Sequence, residues 1–212
     1  MAYRSRTPTR ILVELQTSSS TLNKADDQPF TITLKAKVDH DHPVTIDAFL
    51  TLLWPQANAL DFQGFTFKDI ATGALAERAQ LNIFYAPPDR LAANSECAVQ
   101  LPPHNAAETY TVSHSFRMRA WATEFAAKMD DLDQEWLIRQ NDQTEGLLVG
   151  HVYEIGLGTY WNEVDCWWEG NKAEVFLRGS LARSPRDTPL RMELVNDVKI
   201  LIVDETLPSE SA

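Results

Sequence analysis

Alternation of apolar and polar residues at every second position is the feature that most restricts this chain. Phe30, Ile32, Leu34, Ala36 and Val38 interleave with Thr31, Thr33, Lys35 and Lys37, as a strand with one buried face requires. Val44, Ile46, Ala48, Leu50, Leu52 and Trp54 repeat the pattern up to Pro55, and Tyr110, Val112, His114, Phe116, Met118 and Ala120 repeat it again. Shorter candidates lie at Ile11–Gln16, Phe65–Ile70, Gln80–Tyr85, Val149–Leu157, Ala173–Leu177 and Leu190–Val203. The last is interrupted by Asn196-Asp197, as in a hairpin or a bulged strand. Clusters of Pro, Gly, Asn and Asp separate the runs, and no strand–helix alternation accompanies them. The pattern predicts a mainly β fold, an antiparallel sandwich or barrel. A length of 212 residues suits one domain, over 9–204, with short tails at 1–8 and 205–212.

One stretch departs from this period. Trp121, Phe125, Met129, Leu132 and Trp136 recur at helical spacing and predict a helical crossover around 121–139. Its aromatic stripe either lies on the sheets or closes a pocket mouth, with Asp130, Asp131, Asp133 and Glu135 facing water. Alternatively, Asp131 caps a second short helix. The same region concentrates charge: residues 121–170 carry eleven acidic side chains against Lys128 and Arg139, in a chain whose net charge is −11. Such a balance excludes general affinity for nucleic acid or an anionic membrane, and an acidic face attracts a basic partner. No run approaches the roughly 20 apolar residues of a membrane span, and Ile11–Leu15 is too short for a signal peptide. A cytoplasmic protein without membrane insertion is therefore expected. Cys97 and Cys166 match no zinc or redox spacing and read as reduced thiols.

Few residues announce chemistry. Asp39-His40-Asp41-His42 offers four potential ligands in a row, but neighbours in a turn rarely converge on one ion, so a polar hairpin turn is expected there and no metal. His114 and His151 fall on the apolar sides of their strands. There a histidine is either a hydrogen-bonded core residue or, if a cavity lies beside it, a general acid or base. Acidic neighbours at Asp165 and Glu169 disfavour a thiolate at Cys166. No nucleophile elbow or phosphate loop occurs, and Gly156-Leu157-Gly158 lacks the third glycine of a dinucleotide fingerprint. No cofactor is implied. Six tryptophans remain: Trp54, Trp121, Trp136, Trp161, Trp167 and Trp168. Adjacent strand residues point to opposite faces, so Trp167 and Trp168 divide between core and outside. Apart from core anchoring, they suit an aromatic-lined pocket for an apolar ligand or a carbocation. Tyr153, Tyr160, Trp161 and Trp167 would be its walls, with Trp121, Trp136 and Trp168 around them.

Phe30-Thr31-Ile32-Thr33-Leu34-Lys35-Ala36, His42-Pro43-Val44-Thr45-Ile46 and Phe65-Thr66-Phe67-Lys68-Asp69 with Thr72-Gly73 form one set of markers. Gly146-Leu147, Gly150, Tyr153-Glu154-Ile155-Gly156-Leu157 and Trp167-Trp168-Glu169-Gly170-Asn171-Lys172-Ala173-Glu174-Val175-Phe176 form a second. From about Ile11 to Phe176 the chain thereby resembles a group of uncharacterised proteins of filamentous fungi, themselves similar to the amino-terminal sandwich of arrestins. The resemblance implies an immunoglobulin-like, arrestin-N-like β-sandwich and a fungal source, and it carries no catalytic residues. The chain departs from arrestins in having one sandwich's worth of residues and no obvious phosphate-sensing polar core.

Two expectations follow. In the first, a hydrophobic small molecule binds the aromatic-lined pocket, where a cofactor-independent cyclase or isomerase of fungal specialised metabolism would use His114, His151 and Tyr153. In the second, the chain is a non-catalytic, arrestin-like adaptor that docks a protein partner on an edge strand or its acidic face. A homodimer is compatible with both. An enclosed cavity with His114, His151 or Tyr153 in its wall favours the enzyme, and a filled core with Trp167 or Trp168 exposed favours the adaptor.

Overall fold

A computed structural model describes residues 10–25, 29–78, 89–129, 133–159, 161–177 and 179–205. Its strands are β1 (Arg10–Thr17), β2 (Thr21–Asn23), β3 (Thr31–Val38), β4 (Val44–Asp47), β5 (Phe65–Asp69), β6 (Arg90–Leu91) and β7 (Ala98–Leu101). They continue with β8 (Tyr110–Ser115), β9 (Val152–Leu157), β10 (Glu163–Val164), β11 (Trp167–Glu169), β12 (Leu181–Ala182), β13 (Leu190–Leu194) and β14 (Val198–Val203). Three α-helices, α1 (Arg119–Ala126), α2 (Gln134–Asn141) and α3 (Lys172–Val175), and a 3-10 helix at Ala59–Phe62 complete the described elements. The protein is mainly β, and its strand pairs are mostly antiparallel.

Two larger sheets carry most of the core. One has the order β10-β13-β1-β3-β8 and the other β2-β14-β9-β5. A three-stranded sheet, β11-β4-β7, and the small pair β12-β6 accompany them. In β3 the alternation resolves cleanly: Ile32, Leu34, Ala36 and Val38 are buried and the threonines and lysines between them are not. Ile11, Val13 and Leu15 of β1 join them, as do Phe65 and Phe67 of β5, Tyr153 and Ile155 of β9, and Ile200 and Ile202 of β14. These side chains merge into one apolar cluster, burial that dominates the favourable side of folding.

Several sequence expectations change here. The run from Val44 to Trp54 is a strand only to Asp47. Asp47 Oδ1 accepts from the Phe49 amide, and the Thr51 hydroxyl and amide both donate to the Ala48 carbonyl, so side chain and backbone together bend the chain away. The run from Tyr110 to Ala120 ends as a strand at Ser115, and its last two residues open α1. Ala173–Leu177 is helix to Val175 and then turn, because Asn171 and Glu174 form a reciprocal capping box that starts α3. Leu190–Val203 is neither a hairpin nor a bulged strand: β13 and β14 enter different sheets. At their divide the Asn196 side chain accepts from the Leu15 amide (2.9 Å) and donates to the Leu15 carbonyl (2.8 Å), extending the ladder on β1.

The crossover of 121–139 is two helices. Asp133 caps α2 through the Trp136 amide, and Asp130, Asp131 and Leu132 lie outside the described residues. Its small residues face inward: Ala122 and Ala126 are buried, whereas Trp121 is 40% and Trp136 55% exposed. At the base the two ends are joined, since the Gln143 amide donates to the Arg117 carbonyl and the Arg117 amide to Gln143 Oε1. The candidate strand at Gln80–Tyr85 and the residues 1–8 and 206–212 also lie outside the described residues.

Candidate functional site

His114 projects from β8 into the core and is 2% exposed. Its Nε2–H donates to the Leu52 carbonyl at 2.9 Å, and Nδ1 accepts from the Ala59 amide at 3.2 Å. Both ring nitrogens are spent on main chain, with the Phe65 ring edge-on beside them. Burial lowers the imidazole pKa, which favours this neutral form. The residue fastens the 48–62 segment to the sheet, a structural role.

Tyr153 is equally enclosed, and its hydroxyl accepts from the Leu148 amide at 3.0 Å. Its near neighbour His151 is half-buried immediately before β9, with Nδ1 2.6 Å from Oδ2 of buried Asp69. Asp69 also accepts from the Ala71 amide (2.8 Å) and so shapes the turn after β5. The His151 bond holds its carboxyl below the usual carboxylate range. His151 and Asp69 thus form an oriented pair, and none of the described clefts has either residue in its wall.

The tryptophans do not converge. Trp161 is buried and stacked on Phe62, with ring centroids 4.8 Å apart. Trp121 stacks outside on Phe125, and the Arg117 guanidinium covers its ring at 4.9 Å. Trp136 lines an open cleft of about 710 Å³ together with Glu135, Arg139 and Glu145. Tyr160 lies outside the described residues. Among the described clefts, Trp167 and Trp168 are the two tryptophans that share a wall, in a groove of about 610 Å³ completed by Glu169, Arg186, Asp187 and Thr188. As adjacent strand residues they divide, Trp167 buried and Trp168 half-buried.

That groove borders a sheet edge. Among the described residues β11 pairs only with β4, in the register Trp167↔Ile46, Trp168↔Thr45 and Glu169↔Val44. The flanking bonds, Asp47 amide to Cys166 carbonyl and Gly170 amide to Pro43 carbonyl, fix the alternation. Main-chain groups of Trp168 therefore face β4, and those of Trp167 and Glu169 face outward. The Arg186 side chain donates to the Trp167 carbonyl at 3.1 Å and lies over its ring at 5.1 Å, while the indole Nε1–H donates to the Thr188 carbonyl. The outward Trp167 amide and both Glu169 main-chain groups have no partner among the described residues.

A second polar cluster lies at the base of the helices. Asp61 accepts from Arg117 and Gln143, and nearby Asp142 accepts from the amide and hydroxyl of Thr144. Arg78 joins them through Nε, which donates to the Gln143 carbonyl at 3.2 Å. Its guanidinium lies 4.8 Å from the Phe67 centroid and 5.4 Å from that of Phe116. Burial pushes its pKa down to about 10. Nothing in the sequence pointed to this cluster.

The Asp39–His42 turn is tied internally: His40 Nδ1 accepts from the His42 amide, and His104 Nδ1 bonds the His40 carbonyl. Among the described residues no three His, Cys, Asp or Glu side chains converge as metal ligands, and no helix is long and apolar enough to cross a membrane. Cys97 and Cys166 are free thiols, each pushed up chiefly by burial. Compared with protein-family models, curated proteins and solved structures, the chain matches none.

Proposed function

We propose that this chain is a non-catalytic binding module, an immunoglobulin-like, arrestin-N-like β-sandwich of filamentous-fungal type, that docks an extended segment of a protein partner along β11. The observation that carries the reading is the outward edge of β11 beside a Trp-walled groove. Strand addition takes its affinity from main-chain hydrogen bonds and its specificity from side-chain contacts at alternate positions. Here the Trp167 amide and both Glu169 main-chain groups are offered, and Trp168 adds an aromatic contact. Glu169 and Asp187 in the groove, on a chain of net charge −11, favour a basic residue in the incoming segment. The enzymatic alternative draws less support, because His114 and Tyr153 are hydrogen-bonded core residues away from every described cleft.

The test is selection of binders from a displayed peptide library, followed by affinity measurement on two variants. Trp168→Ala removes the aromatic contact. Glu169→Pro removes an outward-facing amide, where an edge strand tolerates proline, together with the Glu169 carboxylate that favours a basic residue. Basic–apolar peptides that lose at least tenfold (about 1.4 kcal/mol) in both variants support the reading. Failure to select a binder, or binders indifferent to both substitutions, refutes it.

A further inference from the structure

The outward side of β11 is already partly covered by the chain itself. Main-chain groups alternate along an edge, so Asp165 faces outward together with Trp167 and Glu169, and the Arg186 amide donates to the Asp165 carbonyl at 2.8 Å. The Arg186 side chain then reaches along the edge. There its Nε donates to the Trp167 carbonyl at 3.1 Å, and its guanidinium lies over the Trp167 ring at 5.1 Å. The Trp167 amide sits between those two carbonyls, so a single residue spans the stretch that an incoming strand must pair with. The Trp167 indole, bonded to the Thr188 carbonyl at 3.1 Å, fastens the loop that carries Arg186.

This cover is lightly held. Arg186 is exposed, and among the described residues no carboxylate comes within ion-pair distance of its guanidinium. Glu169 and Asp187, in the walls of the same groove, are likewise without an ion-pair partner among the described residues. Building on the docking site proposed above, we propose that Arg186 stands in for the partner: it closes the edge in the free protein, and the partner is a segment whose own arginine displaces it. An incoming guanidinium gains the same ring and the same carbonyl. A strand aligned on β11 also places it beside the Glu169 carboxylate, which shares the Trp167 face. Arginine fits where lysine does not, because one planar group stacks and donates at once. A tethered competitor acts at high local concentration, so apparent affinity scales with the small fraction of time the edge is open.

Peptides selected on the wild-type full chain are titrated against it and against Arg186→Ala and Arg186→Lys. Arginine-bearing peptides should bind Arg186→Ala at least tenfold tighter than the wild type. Arg186→Lys keeps the charge but not the planar group, so it too should bind tighter than the wild type. Replacing the peptide's arginine by lysine or by neutral citrulline should cost at least tenfold on Arg186→Ala. In the wild type, the Nε–H NMR resonance of Arg186 should move to the position of a free arginine as peptide saturates. Equal or weaker binding by Arg186→Ala, a gain in Arg186→Ala that Arg186→Lys lacks (simple charge repulsion), indifference to citrulline, or an unmoved Arg186 resonance overturns the proposal and leaves the docking site standing. If no peptide binds the wild-type chain, the docking site itself falls and the displacement with it. The wild-type NMR arm decides even if neither Arg186 variant folds.

Discussion

Replacing His114 by leucine tests whether this residue is structural. The substitution leaves the Leu52 carbonyl and the Ala59 amide, both 48–62 segment groups, facing an apolar side chain. A buried main-chain group stripped of its partner costs about 1–3 kcal/mol, so two cost about 2–6, offset in part by the leucine's own burial. A net loss of about 3 kcal/mol should lower the melting temperature by about 6–12 °C in a chain of this size. Urea melts read the loss directly, as a lower midpoint at constant slope. The sign of the pH dependence adds a second check. Burial lowers the His114 pKa in the folded state, so the unfolded chain binds the proton more readily. Wild-type stability from this site is therefore full above about pH 6.5, the unfolded value, and drains away as pH falls below it. His114→Leu has no such proton to bind, so its deficit should shrink from about pH 8 to about pH 5. A loss under about 1 kcal/mol, or a deficit independent of pH, would refute the structural assignment.

Gly158→Ala should destabilise by about 1–3 kcal/mol or more, because the new Cβ would lie 2.0 Å from the Gln63 carbonyl oxygen; denaturant melts measure it. Asn196→Ala strips both Leu15 main-chain groups of partners and should cost about 2–4 kcal/mol, with faster hydrogen exchange at Leu15 as its local signature. For Asp69 the sign runs toward acid. Its folded pKa is depressed by His151, so its contribution is complete above the ordinary carboxylate range and is lost as pH falls through it. Asp69→Ala should flatten the acid limb of stability against pH and speed exchange of the Ala71 amide.

The legible parts of the fold are those where one face of an element is buried. In β3 the alternation of Ile32 to Val38 with Thr31 to Lys37 states which side is inside. The same rule over-extended β4, since Leu52 and Leu53 are both fully buried and a chain enclosed on all sides keeps no informative period. At α1 the spacing was right but the sidedness was not. Trp121 and Phe125 share a helix face, yet Ala122 and Ala126 face the body, because small residues let the helix axis approach closely. Of the candidate site, the Trp167-Trp168 division was readable from strand geometry. The surroundings of Arg78 were not, since Phe67, Phe116 and Gln143 reach it from three separate segments.

The strand order also sets a schedule for biosynthesis. β1 lies parallel to β13, with Arg10 opposite Arg191, and β2 lies parallel to β14, with Leu22 opposite Ile202. Neither large sheet can close until the last strands have left the ribosome. At about 5–20 residues per second, the outer edge of β1 waits roughly 10–35 s for its partner. During that interval Ile11, Val13 and Leu15 belong to an edge that another nascent chain can capture. Yield in a cell should therefore depend on translation speed and chaperone cover as well as on the stability of the finished protein.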